Sequence, residues 1–166
     1  MSNFKERLNK VKCFVFDVDG VLTNGQLLVT HEGEQLRSMN IKDGYAMQLA
    51  VHAGYHIIIL SGAVSEGVLK RLNGLGIKDV HIGVKNKKET LIQLLSDLNF
   101  NLDQVLYMGD DMPDLEVMKH CGVPTCPNDA IHQISNICVY ISDKKGGDGC
   151  VRDVIEQVLT IHGKWQ

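Results

Sequence analysis

Five aspartates fall in two short clusters, and each cluster follows an apolar run. Phe14-Val15-Phe16 leads into Asp17-Val18-Asp19-Gly20, and Val105-Leu106-Tyr107-Met108 leads into Gly109-Asp110-Asp111-Met112-Pro113-Asp114. An ionised carboxylate beside a core is costly unless a positive charge pairs with it. Strand alternation puts Asp17 and Asp19 on the same side of an extended chain, with Val18 turned away. Two oxygen ligands side by side suit a hard cation such as Mg2+. Strands of a doubly wound sheet end on a common edge, and ligands bind at that edge. If both runs belong to one parallel sheet, the five acids converge there, and they need a divalent ion and a lysine to tolerate one another. A lone Asp-x-Asp or Gly-Asp-Asp is more often a turn or a helix cap, and Asp111 is placed to cap a helix that Pro113 opens. The two clusters together are a more specific signal than either alone.

Two further groups stand between the clusters. The run His56-Ile57-Ile58-Ile59-Leu60 ends in Ser61-Gly62, where a hydroxyl and a free backbone N–H can hold a phosphate oxygen. Lys85, Lys87 and Lys88 follow Val80-His81-Ile82-Gly83 and open an amphipathic stretch. One of these ammonium groups can reach back to the acids and bind an anion, while a solvated helix face accounts for the other two.

The elements that must position these groups alternate. Strands are predicted over 11–16, 56–60, 80–82 and 105–108, with edge strands over 123–126 and 139–141. Helices are predicted over 43–53, from Ser65 to Gly74 or Gly76, and over 87–98, 113–120 and 150–162. Short buried strands alternating with helices of about ten residues argue for a parallel α/β sheet, doubly wound and Rossmann-like. One segment breaks the pattern. Residues 26–30 and 35–39 flank His31-Glu32-Gly33-Glu34 as a β-hairpin inserted after the first acidic cluster, within 23–39. An isolated hairpin is marginal in water, so this one is expected to pack on something, with Leu27, Val29, Leu36 and Met39 as its apolar side.

Size and charge narrow the rest. A chain of 166 residues reads as one domain. A net charge of −3 carries no polybasic signature, so nucleic acid is not an expected partner. No apolar run approaches a membrane span, and Met1 to Arg7 offers no apolar leader segment, so a cytoplasmic protein is expected. The five cysteines are scattered without a Cys-x-x-Cys pair and read as small core hydrophobes in a reducing compartment. None has an arginine six positions on, as a cysteine-dependent phosphatase loop requires. There is no His-Glu-x-x-His zinc pattern and no Gly-x-x-x-x-Gly-Lys triphosphate loop.

Taken in order, these residues resemble the motifs of the haloacid-dehalogenase superfamily of phosphotransferases. Phe16 to Thr23 is similar to its first motif, Leu60-Ser61-Gly62 to its second, Lys87 to its third and Gly109 to Asp114 to its fourth. Asn40-Ile41-Lys42-Asp43-Gly44-Tyr45 and the tail Gly146 to Asp153 extend the resemblance to the small, capless 3-deoxy-manno-octulosonate 8-phosphate phosphatases. The chain departs from that group at Ala63-Val64, where members often carry a charged residue that reads the sugar acid. The resemblance implies a fold without a cap domain and Asp17 as a nucleophile that forms an aspartyl-phosphate. It implies Asp19 as general acid and base, and Ser61, Gly62 and Lys87 as phosphate ligands. Mg2+ would be held by the Asp17 carboxylate, the Asp19 carbonyl and the Asp110 carboxylate. Asp111 and Asp114 would orient Lys87 and metal waters. Lys42, with Arg152 or a neighbour's tail lysine, would hold the sugar carboxylate. Hairpins paired between subunits would build a homotetramer. A receiver domain shares the acidic Mg2+ pocket, but its lysine follows the acids, whereas Lys87 precedes the second cluster. A nonulosonate 9-phosphate phosphatase and a non-catalytic oligomerisation module stay open as alternatives.

Overall fold

Side-chain alternation along the buried strands decides the layering. In the computed structural model, which describes residues 4–165, Phe14 and Phe16 of β1 (Cys13–Phe16) enter one core and Cys13 and Val15 enter another on the opposite face. The same parity splits Ile57 and Ile59 from Ile58 and Leu60 in β4 (His56–Leu60), and Leu106 and Met108 from Val105 and Tyr107 in β6 (Val105–Met108). A strand buried on both faces must be apolar throughout, which is why these three read as continuous runs.

The chain order is α1 (Phe4–Leu8), β1, a hairpin of β2 (Leu28–Val29) and β3 (Gln35–Leu36), α2 (Ile41–His52), β4, α3 (Glu66–Gly74), β5 (Asp79–His81), α4 (Lys87–Asp97), β6, α5 (Met112–Met118), β7 (Val123–Cys126), α6 (His132–Ser135), β8 (Tyr140–Ile141) and α7 (Cys150–Ile161). Six strands form one parallel sheet in the order β5-β4-β1-β6-β7-β8. Helices α2, α3 and α7 cover one face and α4, α5 and α6 the other. The chain winds outward from β1 to β5, then crosses back to β6 and winds the other way. The direction reverses beside β1, so the crevice past the ends of β4, β1 and β6 is the topological switch point.

Sequence and structure differ at a few elements. β7 is interior rather than an edge, because β8 pairs along its outer side. Strand β5 lies one residue earlier than predicted, and the short α1 and α6 carry too little periodicity to be anticipated. The apolar side expected for the hairpin is also corrected. Leu28 stands directly opposite Leu36 and Val29 opposite Gln35, so Leu28, not Val29, shares a face with Leu36. Leu27, Leu28, Val29 and Leu36 are all exposed, while Met39 is partly buried against the domain. No described helix is long and apolar enough to cross a membrane.

Candidate active site

Four connections deliver their residues to the switch point. Asp17 follows β1, Ser61 follows β4, Lys87 opens α4 after β5, and Asp110 follows β6. With Asp19, Gly62, Lys85 and Asp111 they line one crevice of ≈ 420 Å³.

Asp17 is buried and held from two sides. The Val18 N–H donates to its Oδ1 at 2.6 Å, and Lys87 Nζ pairs with its Oδ2 at 2.9 Å. Lys87 Nζ also donates to Asp114 Oδ1 at 2.8 Å, so one ammonium bridges two carboxylates. The choice of Lys87 over Lys85 and Lys88 follows from helix geometry. The Asn86 side chain caps α4, and Lys87 lies on the same stripe as the buried Leu91 and Leu95. Lys85 lies at the exposed rim, and Lys88 is half-buried on another face. A cation in the first turn of a helix opposes the macrodipole. Lys87 is 5% exposed there, which only the two acids make tolerable.

Asp114 is wholly buried and fully engaged. Besides Lys87, its Oδ1 accepts from the Tyr107 hydroxyl at 2.7 Å, and its Oδ2 accepts from the Asp110 N–H at 3.3 Å. Tyr107 carries no functional signal in the sequence, since an aromatic residue in a buried strand reads as core. Asp111 does not share in this network as expected. It caps α5, with its Oδ1 accepting from Met112 N at 2.7 Å, and it is exposed. The residue before a helix serves its N–H groups first.

Oxygen atoms of Asp17, Asp110 and Asp114 gather within 4.8 Å of one another. Asp110 Oδ1 is buried and has no hydrogen-bond partner among the described residues. Burial first, and then the Asp114 and Asp111 charges, push the Asp110 carboxyl up to about 7. Burial and the Asp114 charge likewise raise Asp17 to about 7, against the opposing pull of Lys87. Acids this reluctant to ionise, one with an orphaned oxygen, fit a bound cation that restores the missing positive charge. Gly20 is essential to the approach. Its φ is +85°, and a Cβ there would stand 1.9 Å from Asp110 Oδ2.

The chain leaves the extended conformation after Asp17 and turns through Val18–Leu22, so a turn rather than strand alternation sets both Asp17 and Asp19 on the crevice, with Val18 buried in the core. The Asp19 carboxylate turns toward the hairpin and pairs with Arg37, a residue without any motif spacing to draw attention to it. Ser61 is buried beneath the crevice wall, its Oγ accepting from Ala63 N at 3.2 Å, which leaves the hydroxyl proton to donate. Gly62 is exposed beside it.

Lys42 and Arg152 are not brought to this crevice within one chain. Lys42 is exposed in the first turn of α2. The Arg152 guanidinium pairs with Glu156 at 3.4 Å and stacks over Trp165 at 5.2 Å, so it runs along α7 away from the acids. An i,i+4 partner toward the helix C-terminus draws the side chain that way. The tail itself is close. Gly147 N donates to Val21 O at 2.9 Å, and a Cβ on Gly146 would stand 2.0 Å from Gly20 O.

Comparison with known proteins agrees with this geometry. A family model described as haloacid dehalogenase-like hydrolase matches residues 79–154. The 3-deoxy-D-manno-octulosonate 8-phosphate phosphatase of Haemophilus influenzae is 31% identical over 160 residues, covering 96% of this chain and 89% of the relative. The crystal structure of the Yersinia pestis enzyme of the same name superposes with a TM-score of 0.95 at 30% identity, covering 98% and 88%. That of the Moraxella catarrhalis enzyme, in complex with a magnesium ion, a phosphate ion and a KDO molecule, gives 0.92 at 31% identity, covering 95% and 92%. An acid-and-lysine crevice at the switch point of a capless parallel sheet, and relatives that match it over nearly the whole chain, lead to one conclusion: this protein is a phosphatase of the haloacid dehalogenase-like hydrolases and belongs to the family of the 3-deoxy-D-manno-octulosonate 8-phosphate phosphatases.

Proposed function

We propose that the chain hydrolyses the 8-phosphate of 3-deoxy-D-manno-octulosonate, a step in making lipopolysaccharide precursors, as a Mg2+-dependent cytoplasmic enzyme. The observation that carries the reading is the buried Asp17–Lys87–Asp114 bridge set beside the orphaned Asp110 oxygen. Asp17 is the nucleophile. One of its oxygens bonds to phosphorus as the bond from phosphorus to the sugar oxygen breaks, giving an aspartyl-phosphate. Asp19 gives a proton to the departing sugar oxygen. It then takes one from the water that attacks the aspartyl-phosphate, releasing phosphate and restoring Asp17. Lys87, the Ser61 hydroxyl and the Gly62 N–H hold the phosphoryl oxygens, and Asp114 and Tyr107 keep Lys87 in place. Asp17 and Asp110, with the Asp19 carbonyl, would hold Mg2+, which when bound offsets the negative charge of nucleophile and phosphate. Lys42, with the tail of a neighbouring subunit, is left to meet the sugar carboxylate, since Arg152 is engaged along its own helix.

Steady-state kinetics test this. The eight-carbon ester is expected to exceed a nonulosonate 9-phosphate in kcat/KM by about 10- to 200-fold, the range that shape alone commands in a pocket where Ala63-Val64 supplies no charge. It is expected to exceed p-nitrophenyl phosphate as well, and EDTA should abolish turnover until Mg2+ is returned. A higher kcat/KM for the nine-carbon ester would overturn the substrate, and full activity after metal stripping would overturn the metal site.

The hairpin supports assembly. A two-stranded ribbon with Leu27, Leu28, Val29 and Leu36 open to solvent gains stability by packing against a second copy. We propose a homotetramer built on it, with no nucleic acid or membrane as partner. Leu28→Lys with Leu36→Lys, two directly paired positions, should shift sedimentation from tetramer to smaller species. A wild-type monomer at micromolar concentration would refute the proposal.

A further inference from the structure

Asp19 is held from outside its own loop. Arg37 Nε donates to Asp19 Oδ1 at 2.7 Å and Nη2 donates to Oδ2 at 3.0 Å. Arg37 directly follows β3, so the guanidinium belongs to the hairpin and not to the domain body. Its Nη1 donates to the Gln35 carbonyl at 3.1 Å, which fastens the side chain to the hairpin backbone. The Arg37 side chain is only 4% exposed, whereas the Asp19 side chain is 37% exposed and faces the crevice. Arg37 itself lines the neighbouring groove of ≈ 860 Å³ between hairpin and α3. The ion pair therefore links a residue that lines the acidic crevice to one that lines that groove.

A guanidinium fork fixes both the position and the plane of a carboxylate, which a single ammonium does not. Asp19 lies in an irregular turn kinked at Gly20, whose backbone alone does little to orient a side chain. Proton transfer depends on that orientation, because donor and acceptor must meet at hydrogen-bond distance. We infer that Arg37 is a positioning residue for the reaction: its fork sets the Asp19 carboxylate at the mouth of the crevice and so ties hairpin placement to proton transfer. The inference rests on the reading of Asp19 as general acid and base given above.

The test uses the full-length Mg2+-loaded protein and two esters, the sugar-acid phosphate and 2,4-dinitrophenyl phosphate, whose leaving group needs no proton. Arg37→Met is expected to lower kcat for the sugar ester about tenfold, with KM changed less than about twofold. The burst of dinitrophenolate should keep its wild-type rate. Arg37→Lys should fall between wild type and Arg37→Met, and carries the same test if Arg37→Met does not fold. Asp19→Asn with Arg37→Met should be no slower than Asp19→Asn alone, because the arginine acts only through the aspartate. Additive losses, a raised KM at unchanged kcat, or an equal loss of the dinitrophenolate burst would each overturn the inference. Wild-type kcat in Asp19→Asn would overturn the acid–base reading itself. A slow Asp19→Asn beside a wild-type Arg37→Met would overturn only the role of Arg37.

Discussion

Asp17→Asn is expected to lower kcat by about a thousandfold or more while the protein stays folded, as removal of a covalent nucleophile does in other hydrolases. The amide keeps the shape of the side chain and can still accept from the Val18 N–H. It cannot form an acyl-phosphate, and it withdraws one of the charges that a cation would meet. Folding should tolerate the change. The folded chain resists ionising Asp17, whose pKa rises to about 7 through burial, so a neutral group there removes a strained charge. Lys87 keeps Asp114 as its partner. The variant should therefore melt within a few degrees of wild type in EDTA and lose most of any gain in melting temperature that Mg2+ gives the wild type. A variant keeping a tenth of wild-type kcat would remove Asp17 from the role of nucleophile.

Lys87→Met is expected to act on the fold as well as on turnover. The ammonium is the shared partner of two carboxylates, and Asp114 beneath it has no exposure at all. Removing one member of a buried ion pair leaves an uncompensated charge and costs about 3–5 kcal/mol. For a chain of this size, that is a fall on the order of 10 °C in melting temperature. Activity should fall with it, since the proposed phosphate site would lose its only buried cation among the described residues that line the crevice. Adding Asp114→Asn to Lys87→Met should recover part of the stability and none of the activity. Lys85→Met, at the exposed rim, is the control and should melt like wild type. A Lys87→Met protein that melts with wild type would show that the bridge contributes nothing to the fold.

Much of this site was legible because its parts obey different periodicities that meet at element ends. Continuous apolar runs marked β1, β4 and β6, and acids or a serine directly after each run marked the edge where ligands sit. The choice among three lysines came from the resemblance alone, and the structure supplies its reason in the stripe that Lys87 shares with the buried Leu91 and Leu95. What was not legible depends on contacts between distant segments. Tyr107 looks like core until Asp114 is folded against it. Arg37 sits in a hairpin whose own pattern says nothing about Asp19, 18 residues earlier. Arg152 follows Glu156 on its own helix and Trp165 in the segment beyond it rather than the motif it belongs to. The hairpin's facing residues depended on register, which a shift of one position reverses.

The tail's seat against the first loop bears on when the enzyme comes into being. Val21 receives the Cys150 thiol across 129 residues, Asn40 donates to Gly147 across 107, and Asp43 receives the Arg152 N–H across 109. Contacts this far apart are made against the full entropy of closing a long loop, and they come late and slowly in folding. A chain emerging from the ribosome exposes Asp17 well before α7, and the loop around it stays unbraced until residues 147–152 have been synthesised. Residues 147–152 thus brace the loop that follows β1, and a fragment lacking them is expected to carry the first motif without that support.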